Sequence, residues 1–343
     1  MKITEGYYFR LHDKTIFYAK GVIHPPNKVI GYPKYVLDPS GDRISINGVR
    51  YRKEPSFLGE LDILRRNYNK YLVNDPYIGD IVPEIPYGDI ETIYDPLEKA
   101  RQIIYANPSD NVLKDVRDMI IDLVEATNVL SIGVSGSVLV GLHRSDSDID
   151  IVIYGEEEGR KVYNYLVDII NRGGSPYTRY SEHTIKRVYS FRRKETPIDF
   201  HNYVLQAKRK VLEGFFKNRE YFIRLVKNPK PYEDYGKVVY RKIGRATMKL
   251  KVLDAREAIY TPCRYVVEVV EYVDGVRADI DEVYSLRGRF NELAWEDEVI
   301  LVRGTVEKLE YTGTRKIKYR LYLGHPGDFL VNLSLKGDKL RVL

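Results

Sequence analysis

Cysteine is almost missing from this chain. Cys263 stands alone among 343 residues, which excludes an internal disulfide and any cysteine-clustered zinc site. Glutamine occurs only at Gln102 and Gln206, methionine three times and tryptophan once. So few thermolabile side chains, beside 30% charged residues and 30 tyrosines, fit the protein of a thermophile. No apolar run reaches the about 18 residues a membrane-spanning helix needs, and MKITEGYYFR has no apolar leader core, so a cytoplasmic location with no membrane partner is expected. Gly-Lys-Ser and Gly-Lys-Thr are absent too, and with them any P-loop.

What is present is a globular composition, 43% hydrophobic, in a chain longer than one typical domain. Residues 1–55 read as a β-rich module of short strands such as YYFRL and TIFYAKGVI, punctuated by Asp38-Pro-Ser-Gly and Asn47-Gly. Residues 56–109 read as a helical connector: SFLGELDILRRNYNKYL, the Pro/Gly/Asp-rich hinge NDPYIGDIVPEIPYGD, then DPLEKARQIIYA. The stretch SDNVLKDVRDMIIDLVEAT predicts a helix capped by Ser109 or Asp110, with Val112, Val116, Met119, Ile120 and Leu123 on one face. It opens a core over 110–235 with a basic extension. Residues 236–343 alternate in β fashion and predict a small barrel or sandwich. Cys263 there reads as a small buried hydrophobe and Trp295 as packing.

Charge is unevenly placed. Between Val204 and Lys251, 14 Lys and Arg stand against 4 Asp and Glu, a local excess larger than the net +6 of the whole chain. Lys208, Arg209 and Lys210 lie among Phe215, Phe216, Tyr221, Phe222, Tyr232, Tyr235 and Tyr240. Basic groups attract phosphates and aromatic rings stack on bases, so this segment is either a nucleic-acid path or a solvated helix face over an aromatic core.

The chemistry concentrates in GVSGSVLVGLHRSDSDIDIVIYG, Gly133 to Gly155. Asp146, Asp148, Asp150 and Glu157 match four ligand positions of an EF-hand loop, but Ile151 stands where that loop needs Gly. GVSGS lacks the last Gly of a nucleophile elbow. On a strand running through Ile151 and Ile153, Asp148 and Asp150 share one face while Ile149 and Ile151 enter the core. Two carboxylates so placed suit Mg²⁺, with Mn²⁺ as an alternative, bridging protein to phosphate, and two ions about 3.5–4 Å apart could serve an in-line phosphoryl displacement. Gly136-Ser137 offers a phosphate cradle, because Gly lets backbone N–H groups approach closely and Ser137 begins a helical turn. TPIDFHNYV reads as a third strand with Asp199 in its middle, available as a third ligand. His201 on the same strand face and His143 in the intervening loop read as structural hydrogen-bonding groups, since metals and carboxylates supply the chemistry.

Gly136-Ser137, then Asp148-Ile-Asp150 before apolar residues, then a later strand with a lone Asp, resembles the DNA polymerase beta superfamily of nucleotidyltransferases. SDSDIDIVI is especially similar to the small bacterial and archaeal members, over residues 110–205. The resemblance implies an α+β fold, a mixed sheet with flanking helices, to which the N-terminal and C-terminal β-rich modules are added. It implies that Asp148 and Asp150 bind two Mg²⁺ ions, that Asp199 binds the catalytic one and helps deprotonate the attacking hydroxyl, and that Ser137 and the Gly136 backbone hold the β- and γ-phosphates of ATP or another triphosphate. The chain departs from the family where Val138, Leu139 and Val140 follow Gly-Ser, since many members carry Arg there; Arg144 or a residue of IKRVYSFRRK is the substitute. RGTVEKLE faintly resembles a strand of an OB-like barrel.

Three functions follow as expectations. The first is Mg²⁺-dependent transfer of a nucleoside monophosphate to a hydroxyl on a nucleic acid, RNA or DNA. The second is the same transfer to a small molecule or protein. The third is a nucleic-acid-binding protein with an inactive transferase core.

Overall fold

The computed structural model describes residues 2–335, so the last eight residues expected in the C-terminal module lie outside the described residues. The chain forms two compact units, one holding the chain up to Tyr177 with Phe215–Tyr235, the other holding Thr178–Gly214 and the chain from Gly236 onward. The boundaries therefore differ from a core spanning 110–235. The α+β architecture with β-rich parts on both sides is as expected.

The first unit opens with β1 (Tyr8–Leu11), β2 (Ile16–Ala19), β3 (Lys28–Leu37), β4 (Arg43–Ile44) and β5 (Arg50–Lys53). Helix α1 (Phe57–Asn67) follows, capped by the Ser56 hydroxyl accepting from the Gly59 N–H, and then β6 (Leu72–Asp75), β7 (Asp80–Pro86) and β8 (Ile90–Tyr94). The strands pair antiparallel in the order β4-β5-β3-β2-β1-β8, with β7 against β3 and β6. The segment expected as a helical connector thus adds three strands to the N-terminal sheet. They are short and lie among turn residues such as Asp75 and Gly79, so no periodic run announces them.

This sheet is apolar on both faces. Phe9, Leu11, Phe17 and Val29 pack under Leu64 and Tyr68 of the α1 region, and Ile16, Tyr35 and Tyr51 form a second cluster with Leu139, Val140 and Leu142. Side chains alternate along a strand, so β1 and β2 feed both clusters.

After α2 (Pro96–Tyr105), α3 (Asn111–Thr127) buries the predicted stripe of Val112, Val116, Met119, Ile120 and Leu123, and Asp110 caps it by accepting from the Leu113 N–H. Then come β9 (Ile132–Val134), α4 (Gly136–Leu139), β10 (Ile149–Tyr154), α5 (Glu156–Arg172), β11 (Tyr177–Thr178), β12 (Glu213–Phe216) and β13 (Arg219–Val226). The sheet order is β11-β12-β13-β10-β9, with β10 parallel to β13 and antiparallel to β9. Ile149, Ile151, Ile153, Tyr221, Ile223 and Leu225 are buried on one face, against which α3 and α5 lie. Each such aliphatic side chain contributes about 1.5–3 kcal/mol on burial. That anchors β10 and leaves its other face for polar groups.

The second unit contains α6 (Glu182–Arg192) and α7 (Phe200–Ala207), followed by β14 (Val238–Asp254), β15 (Tyr260–Thr261), β16 (Cys263–Gly275), β17 (Glu282–Ser285), β18 (Val299–Tyr311), β19 (Ile317–Leu323) and β20 (Phe329–Asn332). Strands β14-β16-β17-β19-β18 close back on β14, so of the two expected forms the barrel is found, with the strand number of an OB barrel. Met248, Leu250, Val302, Leu321 and the buried Cys263 fill it, and Trp295 packs on its edge. On β18 and β19, Glu307 and Arg320 are a directly opposed buried pair, 2.7 Å apart, and Arg320 lies 4.2 Å and 4.1 Å from the ring centres of Tyr240 and Tyr284.

Removing one member of such a pair strands the other charge in a low-dielectric interior. Arg320→Ala should cost about 3–5 kcal/mol in urea unfolding. The double variant Arg320→Met with Glu307→Leu should cost less than the single one; a double variant that is worse would show that the pair is not the source of the loss.

Candidate active site

The site begins with strand pairing. Val134 of β9 is opposite Ile151 of β10, so Ser135 faces Asp150, and the Ser135 N–H donates to the Asp150 carbonyl at 2.8 Å. The next residue, Gly136, turns with φ +61° directly over the Asp150 side chain. A Cβ at Gly136 would come within 1.9 Å of the Asp150 Oδ2. Only glycine fits, for both reasons: a left-handed backbone and no space. Ser137 is buried in α4, and its carbonyl accepts from the Leu142 N–H.

The loop between the two halves of the motif is held from three sides. Arg43 Nη1 donates to the Leu142 carbonyl and to Ser147 Oγ, both at 3.2 Å. Arg219, leading β13, donates to the carbonyls of Ser145 and Ser147 and pairs with Asp115 of α3 at 2.7 Å. Arg144 is bound to Asp146 at 2.6 Å and Asp42 at 2.5 Å. Asp146 is thereby neutralised within the loop, which leaves Asp148 and Asp150 as the carboxylates presented on the face of β10 away from α3 and α5. Arg144, expected as a phosphate ligand, is engaged as a loop clamp. His143 is half-buried with Nε2 3.6 Å from Asp110, and burial pushes its pKa down against the opposing pull of that acid.

Asp148 is exposed and Asp150 half-buried. Burial, then the neighbouring Asp148, pushes the Asp150 carboxyl up to about 7, against the opposing pull of Lys53, Arg224 and Lys34. A carboxyl so placed is short of positive charge. The donor set therefore fits a hard divalent cation, which prefers carboxylate oxygens and would remove the repulsion.

Asp199 is not on a strand beside these two. It is the N-cap residue of α7 in the second unit, where its carboxylate accepts from the Asn202 backbone and side-chain N–H groups at 2.9 Å and 2.5 Å. The Asp-x-x-Asn spacing and the aromatic pair Phe200 and Tyr203, both packed at a tilt against Tyr189, are helical signals that the apolar letters of TPIDFHNYV masked. His201 lies exposed on that helix, so the shared strand face expected for it does not exist. Among the described residues no three His, Cys, Asp or Glu side chains gather into a metal-holding group.

The strand beside β10 is β13, and the residue missed there is Glu220. Tyr221 pairs with Ile149, so Glu220 stands level with Asp148, and residues level in parallel strands share a face. The signal was the alternation of EYFIRLV after the turn Lys217-Asn218, both at positive φ.

The basic path also changes. Lys210 is buried, 3.5 Å from Glu213 and donating to the Arg289 carbonyl; Arg209 grips Glu298 at 2.9 Å. Of the three residues expected to bind nucleic acid, only Lys208 is exposed, 3.5 Å from Glu182. The basic run IKRVYSFRRK forms most of α6, where Arg192 binds Glu213 at 2.7 Å.

Gly136→Ala should cost about 1–3 kcal/mol in thermal unfolding through backbone strain and displacement of Asp150. The loss should shrink in an Asp150→Ala background, because the collision is gone; equal losses in both backgrounds would rule out the contact as its source. Asp150 itself gives a pH signature. Its folded pKa, about 7, exceeds the ordinary 3.8, so the stability contributed by its proton is complete below pH 3.8 and is lost as pH rises through 7. Without added metal, Asp150→Asn should therefore melt a few degrees higher than wild type at pH 8 and show no such gain at pH 4.

Among the described residues no helix is long and apolar enough to cross a membrane. An uncharacterized protein of Methanocaldococcus jannaschii is 28% identical over 320 residues, covering 90% of this chain and 89% of that one. No solved structure matches the chain significantly. Residues 113–232 match the family described as a nucleotidyltransferase domain, a span that contains Gly136, Ser137, Asp148, Asp150 and Glu220.

Proposed function

We propose that the protein transfers a nucleoside monophosphate from a nucleoside triphosphate to a hydroxyl group, with Asp148 and Asp150 holding Mg²⁺ and Gly136-Ser137 receiving the phosphates. The observation that carries this reading is the Gly136 turn seated on the Asp150 carboxylate, which places a backbone suited to phosphate beside a carboxylate suited to a cation. A bound divalent cation would supply charge neutralisation at phosphate oxygens. Asp148, exposed, and Asp150, half-buried, are the residues that would hold it. Glu220, level with Asp148, takes the role of third carboxylate that Asp199 was expected to fill.

The acceptor is less constrained. The Lys208–Lys210 path does not support nucleic acid, because Arg209 and Lys210 are committed internally. A second reading, a nucleotide-binding protein without transfer activity, is favoured by one observation: among the described residues Asp148, Asp150 and Glu220 share a face but are not gathered into a metal-holding group.

Pyrophosphate release from each triphosphate with Mg²⁺, in the presence of RNA, DNA or protein, tests both. Release that falls at least about a hundredfold in Asp148→Asn and Glu220→Gln, with melting temperatures kept, is the expected result. Triphosphate binding without release under every acceptor would favour the second reading.

A further inference from the structure

The apolar run Val138-Leu139-Val140, where many nucleotidyltransferases carry Arg, has a structural cause. All three side chains are buried, and Leu139 and Val140 pack with Leu142 against Ile16, Tyr35 and Tyr51 of the N-terminal sheet. A cation at these positions would be driven into that interface. Positive charge for a triphosphate must therefore come from elsewhere, and the sheet that excludes it is the nearest source.

Lys53 ends β5 directly opposite Tyr35. Opposed residues share a face, so Lys53 stands on the face that carries Ile16, Tyr35 and Tyr51 to the Gly-Ser helix. It is half-buried, yet among the described residues it has no hydrogen bond or ion pair. The other two cations acting on Asp150 are already taken: Lys34 binds Glu60 at 2.7 Å and Arg224 binds Glu5 at 2.9 Å. Arg52, next to Lys53, is directed to Glu54 at 3.2 Å and Asp38 at 3.4 Å. An ammonium that acts on Asp150 without pairing with it is positioned for an anion that binds beside that carboxylate.

We infer that Lys53 binds the triphosphate tail of the nucleotide, a cation supplied by the N-terminal sheet in place of the one missing after Gly136-Ser137. This rests on the nucleotidyl-transfer reading above and adds to it a named residue and a reason for the sheet's attachment. A triphosphate with one divalent ion still carries net negative charge, as do Asp148 and Asp150, so a fixed ammonium beside them lowers the repulsion on binding. Because a monophosphate lacks the β- and γ-phosphates, Lys53 discriminates by phosphate number rather than by base.

The test is calorimetric binding, with Mg²⁺, of the α,β-methylene analogues of ATP, GTP, CTP and UTP and of the four monophosphates. Lys53→Met keeps the aliphatic stem, Lys53→Gln gives a second uncharged variant, and Lys53→Arg keeps the charge. Both uncharged variants should lose about tenfold or more in affinity for triphosphate analogues and about twofold or less for monophosphates, with Lys53→Arg close to wild type. Unchanged triphosphate affinity, or an equal loss for monophosphates, would overturn the assignment of Lys53 while leaving the transfer reading intact. Wild-type protein that binds none of these nucleotides would overturn that reading, and Lys53 with it.

Discussion

The Asp150 carboxylate lies against the backbone of Gly136, and the pairing of β9 with β10 holds the two backbones in that register. The pairing fixes which residue turns, the turn demands glycine, and the glycine leaves a carboxyl pressed beneath main-chain atoms. Holding it there beside Asp148 is unfavourable, since burial and a like charge both resist ionisation. Such a local conflict with stability is characteristic of sites built for a ligand, because the ligand's charge supplies what the free protein lacks.

The N-terminal sheet keeps this arrangement in place. One face is closed by α1 and the other by the Gly-Ser helix, so the sheet has no free apolar face. Its loops reach further: Arg43 ties down Leu142 and Ser147, Asp42 takes Arg144, and Glu5 takes Arg224 of β13. The Tyr154 hydroxyl donates to the Glu5 carbonyl and the Ser135 hydroxyl to the Gly6 carbonyl. The N-terminal sheet and the strands β9, β10 and β13 therefore belong to one unit, joined in part by bonds to the loop that precedes Asp148. A β-rich module that looks separable by composition is part of the wall of the site.

Sequence reading reached what depends on local pattern. The stripe of α3 and its Asp110 cap, the strand after Asp148, the acidic start of α5 and the barrel character of the C-terminal part all follow from spacing within one element. It failed where the deciding partner is distant. Asp199 sits among strand-like letters, but the hydrogen bonds it accepts from Asn202 set a helix start. Glu220 carries no motif; it matters because β13 lies beside β10, a long-range pairing that alternation alone cannot show. Lys53 likewise becomes relevant only through Tyr35 across the strand pair.

The basic segment shows the same limit in electrostatic terms. Its excess charge is real, but many of the cations are matched with acids from elsewhere in their own unit, among them Lys217 with Asp118, Arg219 with Asp115, Arg241 with Glu310, Arg245 with Asp328 and Lys251 with Asp297. Paired charges set up short-range dipoles rather than a field, and at physiological salt such fields decay within about 8 Å. A run of Lys and Arg in sequence is thus not a positive surface in the fold. An ammonium with no acid of its own, such as Lys53 on the N-terminal sheet, is of the kind whose charge a phosphate can take up.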